Sequence, residues 1–155
     1  MVEGFAAEEV KMELTFLMLK PDAVRRRLIG DIVRRFEHAG YAVHAMKVVV
    51  PERATVEAHY AEHVGKAFYR ELIDFMSSGP VVPIIVSRDQ LAVVRAREII
   101  GTVGSIEPGT IRGDYNRRPV LRLYENLIHS SDSPEAVTRE IALWFPDYGS
   151  AFREE

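Results

Sequence analysis

A chain of 155 residues that is 47% hydrophobic has the size of one domain and enough apolar residues to bury a core. Its formal net charge of -3 gives no basic field of the kind that draws proteins to DNA, RNA or anionic lipid, so neither specific nucleic-acid binding nor membrane binding is expected. The absence of cysteine excludes disulfide frameworks, thiolate catalysis and Cys-based zinc sites, and a reducing cytoplasm fits.

Residues 1–12 lack a basic start followed by an apolar stretch. They read as a short leader rather than a signal peptide or anchor, with one domain over 13–155. An apolar run at 14–19, stopped by Lys20-Pro21-Asp22, predicts a strand buried on both faces that ends in a turn and delivers Lys20 to a loop. Leu28, Ile29, Ile32, Val33 and Phe36 recur at helical spacing, and Gly40 is placed to end that helix. Residues 41–50, rich in β-branched and aromatic side chains and closed by Pro51, predict a second strand. Two helical stretches follow at 55–64 and 67–77.

Ser78-Gly79-Pro80 is a turn, and 81–86 predicts a third strand in which Pro83, lacking an N–H, implies an edge position or a bulge. Asp89 is the expected N-cap of a helix reaching Ile100, with Gly101 as its stop. Periodicity fails from 102 to 125, where glycines and prolines mix with arginines. Loops of that length in a small domain are usually functional. After Leu127-Ile128, Ser133-Pro134 supplies an N-cap and a first-turn proline for a last helix striped by Val137, Ile141 and Trp144. This order predicts an α/β (α+β) domain of ferredoxin-like type, a single antiparallel sheet covered by helices with a long active-site loop.

Five histidines are candidates for chemistry. His38 near a helix C-terminus and His44 in mid-strand suit structural roles. His59, Glu62 and His63 spell H-x-x-E-H, a metalloprotease pattern in which both histidines would share a helix face. No third ligand is indicated, so the plainer expectation is a solvated helix face. His129 differs, standing in a polar string between an apolar run and a capped helix, where loop-borne groups on a rigid scaffold concentrate function. Arg112, in Pro108-Gly109-Thr110-Ile111-Arg112-Gly113-Asp114, is a candidate phosphate clamp.

With these residues in place, the sequence resembles the nucleoside diphosphate kinase family. The likeness runs from about Thr15 to Phe145 through Lys20-Pro21-Asp22-Ala23-Val24, His59-Tyr60, Phe68, Ser78-Gly79-Pro80-Val81-Val82, Pro108 to Asp114, Asn126 to Ser133 and Leu143-Trp144-Phe145. The resemblance implies an enzyme that takes the γ-phosphate of a nucleoside triphosphate, holds it on a histidine and passes it to a nucleoside diphosphate. It makes His129 the nucleophile, Glu140 its orienting partner and Ser131 the support of Glu140. Lys20, Tyr60, Arg97, Arg112 and Asn126 would form the phosphate and sugar site, with Thr102 as a further phosphate contact and Phe68 stacking on the base. Mg²⁺ would arrive on the nucleotide with no dedicated protein metal site, and the protein would be a cytoplasmic homo-oligomer. Relative to the family, the chain is shorter by about two residues between Gly101 and Pro108. It is longer by about four between Arg112 and Asn126, a loop used around the nucleotide site and in subunit contacts. The competing reading is a catalytically silent nucleotide-binding regulatory module on the same fold.

Overall fold

Phe16, Leu17, Met18 and Leu19 in strand β1 (Glu13–Leu19) are all buried because the strand lies inside the sheet, and their side chains alternate between two cores. Leu17 and Leu19 face one core and Phe16 and Met18 the other, the period-two pattern of a strand covered on both faces. The structure, a computed structural model, describes residues 11–116 and 122–151. The expected leader therefore lies outside the described residues apart from Lys11 and Met12.

Lys20 is followed by a short helix, α1 (Pro21–Arg25), rather than by the expected simple turn. Proline at the first helical position makes that continuation cheap, since its missing N–H would have had no partner there. Helix α2 (Ile29–His38) buries Ile32 and Phe36 and ends at Gly40, whose φ of +88° suits a residue without Cβ. Strand β2 (Ala42–Met46) is shorter than expected. Strand β3 (Val82–Arg88) explains why. It sits between β2 and β1 in the order β2-β3-β1-β4, so Pro83 is in an interior strand and not at an edge. Its carbonyl accepts from the Lys47 N–H at 3.3 Å, but it has no N–H to return. Ladder pairing thus stops at Met46 and resumes only as a bridge between Val49 and Val81. The ladder's register shift lies between Val43 and Ala45, away from Pro83.

Helix α3 (Arg53–His59), a 3₁₀ turn at Ala61–His63 and helix α4 (Tyr69–Met76) occupy the two expected helical stretches. Helix α5 (Ala92–Ile100) is not capped by Asp89. Leu91 precedes it in the left-handed region, and the Glu13 carboxylate accepts from the Ala92 N–H. The supposed long loop contains helix α6 (Ile111–Tyr115), capped by Thr110, whose hydroxyl accepts from the Gly113 N–H. A Cβ on Gly113 would lie 1.8 Å from the Glu107 carbonyl oxygen, so this close approach requires glycine. Part of the lengthened stretch after Arg112, residues 117–121, lies outside the described residues.

Strand β4 (Ile128–Ser130) pairs antiparallel with β1, Met18 opposite His129. Helix α7 (Pro134–Trp144) starts from Ser133, whose hydroxyl accepts from the Ala136 N–H, as expected. A final helix, α8, spans Tyr148–Ala151. Helices α2 and α5 cover one face of the sheet and α3, α4 and α7 the other. This is the ferredoxin-like arrangement expected from the element order. No described helix is long and apolar enough to cross a membrane.

Candidate active site

His129 lies in a strand, not in the loop expected for it. Directly paired residues project from the same face, and His129 pairs with Met18, so its ring joins Phe16 and Met18 on the side covered by α3 and α7. A slip of one residue would turn it to the opposite core. Leu127 sets that register at some strain, holding φ +76° while fully buried. Its N–H donates to the Asp22 carboxylate, and its carbonyl accepts from the Lys20 N–H at 2.8 Å.

Helix α7 brings the second member. Ala136, Val137, Glu140 and Trp144 form its buried stripe, so Glu140 points inward and is only 4% exposed. His129 Nε2 lies 2.7 Å from Glu140 Oε1. Ser131, fully buried, donates its hydroxyl to the other carboxylate oxygen, Oε2. Both oxygens are thereby fixed. A carboxylate accepts only, so the ring nitrogen facing it carries the proton and Nδ1 keeps its lone pair.

These two side chains border a cavity of about 480 Å³, also lined by Lys20, Tyr60, Arg97, Thr102 and Arg112. Lys20 is buried at the end of β1 and donates to the Tyr124 carbonyl at 3.2 Å. Burial, and then the nearby Arg112 guanidinium, push its ammonium down to about 7. Arg112 is held down to about 10 by burial and by Arg97. Its guanidinium donates to three carbonyls, those of Asn126 (3.1 Å), Gly101 (3.0 Å) and Ile128 (2.6 Å). Arg112, the candidate clamp, is thus a tie between three segments of backbone. Tyr60 has its hydroxyl buried without a hydrogen-bond partner among the described residues.

Not every expected residue lines the cavity. Asn126 donates its side-chain amide to the Leu123 carbonyl and reaches the site through Arg112, while Ser131 stands behind Glu140. Phe68, 45% exposed, packs edge-on against His63, which does line the cavity.

An imidazole held by a buried carboxylate, at the wall of a cavity that also carries a lysine and two arginines, makes a lining suited to a polyanion. The model of the family described as nucleoside diphosphate kinase matches residues 13–149. The chain belongs to this family. Among relatives named nucleoside diphosphate kinase, one from Schizosaccharomyces pombe is 50% identical over 135 residues, covering 86% of each chain. One from an Exiguobacterium strain is 44% identical over 141 residues, covering 90% of this chain and 98% of the relative. The crystal structure of the nucleoside diphosphate kinase from Encephalitozoon cuniculi superposes with a TM-score of 0.79 at 39% identity, covering 86% of this chain and 88% of that one.

Within this nucleoside diphosphate kinase fold the paired-histidine expectation fails. His59 ends α3 and His63 lies in the following 3₁₀ turn, so no common helix face exists. His59 is also not solvated, its side chain being 1% exposed. It lies beside the site instead, its ring centroid 4.6 Å from that of His129 and perpendicular to it. His59, His129 and Glu140 bring one potential ligand atom each within 4.8 Å of one another, but the donor set does not fit a cation. Trp144 Nε1, which can only donate, bonds to His59 Nδ1 at 3.0 Å. A neutral His59 must therefore carry its proton on Nε2, the nitrogen that would have to ligate. Sequence reasoning missed His59 as a site residue because a helix-end histidine reads as polar surface. Its one clue was Trp144, an indole on the inward stripe that needs an acceptor. Asp22 was missed too, since nothing local marks it as the acceptor for Leu127.

Proposed function

We propose that the chain transfers the terminal phosphate of a nucleoside triphosphate to a nucleoside diphosphate in two half-reactions, with the phosphate carried on His129 Nδ1. The observation that carries this reading is the 2.7 Å bond between His129 Nε2 and Glu140 Oε1 at the wall of a cavity lined by Lys20, Arg97 and Arg112. The Nδ1 lone pair attacks the γ-phosphorus, the N–P bond forms as the bond to the bridging oxygen breaks, and the nucleoside diphosphate leaves. The ring becomes cationic, its Nε2–H held on Glu140. A second diphosphate then attacks the phosphorus and the imidazole returns to its starting state. No base is needed, because a neutral imidazole is nucleophilic near neutral pH.

Phosphoryl transfer through a loose transition state needs chiefly positioning and charge neutralisation. Lys20, Arg97 and Arg112 supply the charge, Tyr60 and Thr102 adjoin it, and Asn126 holds Arg112 in place. Phe68, with an exposed face, would stack on the base, so base selectivity would be loose. Mg²⁺ would reach the site on the nucleotide. The cationic lining suits a metal held by phosphate oxygens and water, where it would add charge neutralisation for the leaving diphosphate. We place the protein in the cytoplasm with its nucleotide substrates and expect a homo-oligomer. Strand β2 is a sheet edge, and exposed Met46, Val48 and Val50 lie on and just beyond it.

Against a silent nucleotide-binding module stands the meeting of an imidazole, a carboxylate and three cationic side chains at one cavity. A coupled assay of diphosphate conversion tests the reading. Sustained turnover with several diphosphates is expected, and nucleotide binding without turnover would overturn it.

A further inference from the structure

We propose that His59 and Trp144 form a positioning relay that keeps a neutral N–H donor directed at the carboxylate orienting His129. This rests on the reading of His129 as the phosphate carrier. The Trp144 indole N–H occupies the Nδ1 lone pair of His59, which assigns the His59 proton to Nε2. That nitrogen lies 3.7 Å from Glu140 Oε1, the same oxygen that accepts from His129. Glu140 is thus flanked by donors on three sides: Ser131 at Oε2, and His129 and His59 at Oε1. Ser131 and His129 hydrogen-bond this carboxylate, and His59 Nε2 stands just beyond hydrogen-bond reach of it.

The same arrangement holds the His59 ring uncharged. Burial is the main cause that pushes its protonation well below the usual histidine range, followed by the neighbouring His129. The charged or titratable groups around it are Glu140 and Arg139 on α7, His129 on β4, Lys20 at the end of β1, the adjacent Tyr60, whose ring centroid is 4.6 Å away, and His63 on the 3₁₀ turn. When His129 takes up phosphate its ring turns cationic, 4.6 Å from His59 by centroid. A protonated His59 would oppose that step, and the Trp144 N–H blocks the nitrogen where the second proton would bind. Without the indole N–H, His59 can protonate or switch tautomer, and the switched form turns a lone pair toward the Glu140 oxygen.

The test compares the pH dependence of phosphoenzyme formation from Mg·ATP, in single turnover, for the parent, Trp144→Phe, and Trp144→Phe with His59→Gln. In Trp144→Phe the acid limb is expected to move up by about one pH unit, because His59 gains a site for a second proton. Glutamine cannot titrate, so the double variant is expected to lose that shift. An unchanged acid limb in Trp144→Phe would overturn the proposal, since mere loss of packing lowers the plateau without moving the limb. Should the variants fail to fold, ¹⁵N-histidine NMR of the parent decides. A neutral Nε2–H tautomer for His59 is expected throughout the usual histidine titration range, and an Nδ1–H tautomer, or titration within that range, overturns the relay. Absence of any phosphoenzyme in the parent would instead sink the reading of His129 and would be seen before any variant is made.

Discussion

His129 Nε2 and Glu140 Oε1 stand 2.7 Å apart, one carried by an edge strand and the other by the helix packed across it. The contact fixes which ring nitrogen is free, so its loss acts on chemistry more than on binding. Glu140→Gln is expected to slow phosphoenzyme formation by about 100-fold while nucleotide affinity stays within a few-fold, because the amide can offer either a donor or an acceptor. Rapid-quench rates beside equilibrium binding check it. Equal losses in both would point to a collapsed site.

Arg112 is expected to serve two ends. Arg112→Ala should lower turnover by about 10²–10³-fold through loss of charge on the transferring group. It should also lower the melting temperature, because the carbonyls of Gly101, Asn126 and Ile128 lose their shared donor. Arg112→Lys keeps the charge but not the fork, so it should recover part of the rate and little of the stability. Thermal melts and steady-state kinetics on both variants check this, and unchanged stability in Arg112→Ala would show that the three carbonyls do not depend on it.

Lys20 gives a proton signature. Its ammonium is pushed down to about 7 by burial, so above that pH the free protein has largely lost this proton. A bound phosphate favours the charged form and raises the pKa again. Nucleotide binding at about pH 8 should therefore take up close to one proton and at about pH 6 take up far less, with Lys20→Met abolishing the difference. Calorimetry in buffers of different ionisation enthalpy measures it, and no uptake at the higher pH would contradict this account of Lys20.

Gly113→Ala should destabilise the fold by about 2–3 kcal/mol, since the new Cβ would press on the Glu107 carbonyl oxygen and displace the turn that seats Arg112. Denaturant melts check the value. A loss below about 0.5 kcal/mol would mean that the 108–113 turn yields freely.

How much of this was legible in the sequence depended on how local each signal was. Strand β1, helix α2 and helix α7 were readable because apolar spacing, Gly40 and Ser133-Pro134 act within a few residues. The place of β3 was not, since Pro83 argues for an edge and only the partner strands show that its missing N–H falls where β2 ends. The cap of α5 was misread because its acceptor, Glu13, is 79 residues away in sequence. Within the site, Glu140 could be placed inward from helical spacing together with the family resemblance. His59 could not, because its burial is imposed by Trp144 and by the pairing that turns His129 toward it.

If phosphate travels on His129, intact mass after incubation with Mg·ATP under alkaline conditions reveals it. A phosphoramidate N–P bond survives base and is lost in acid, whereas a serine phosphate resists acid. A single added phosphate is expected on the parent protein, one that persists at high pH, disappears at low pH, is discharged by added nucleoside diphosphate, and is absent from His129→Ala along with turnover. Adding Glu140→Gln to His129→Ala is expected to cost nothing further in transfer, as for residues that act as one unit. An acid-stable adduct, or full turnover by His129→Ala, would contradict carriage of the phosphate on His129.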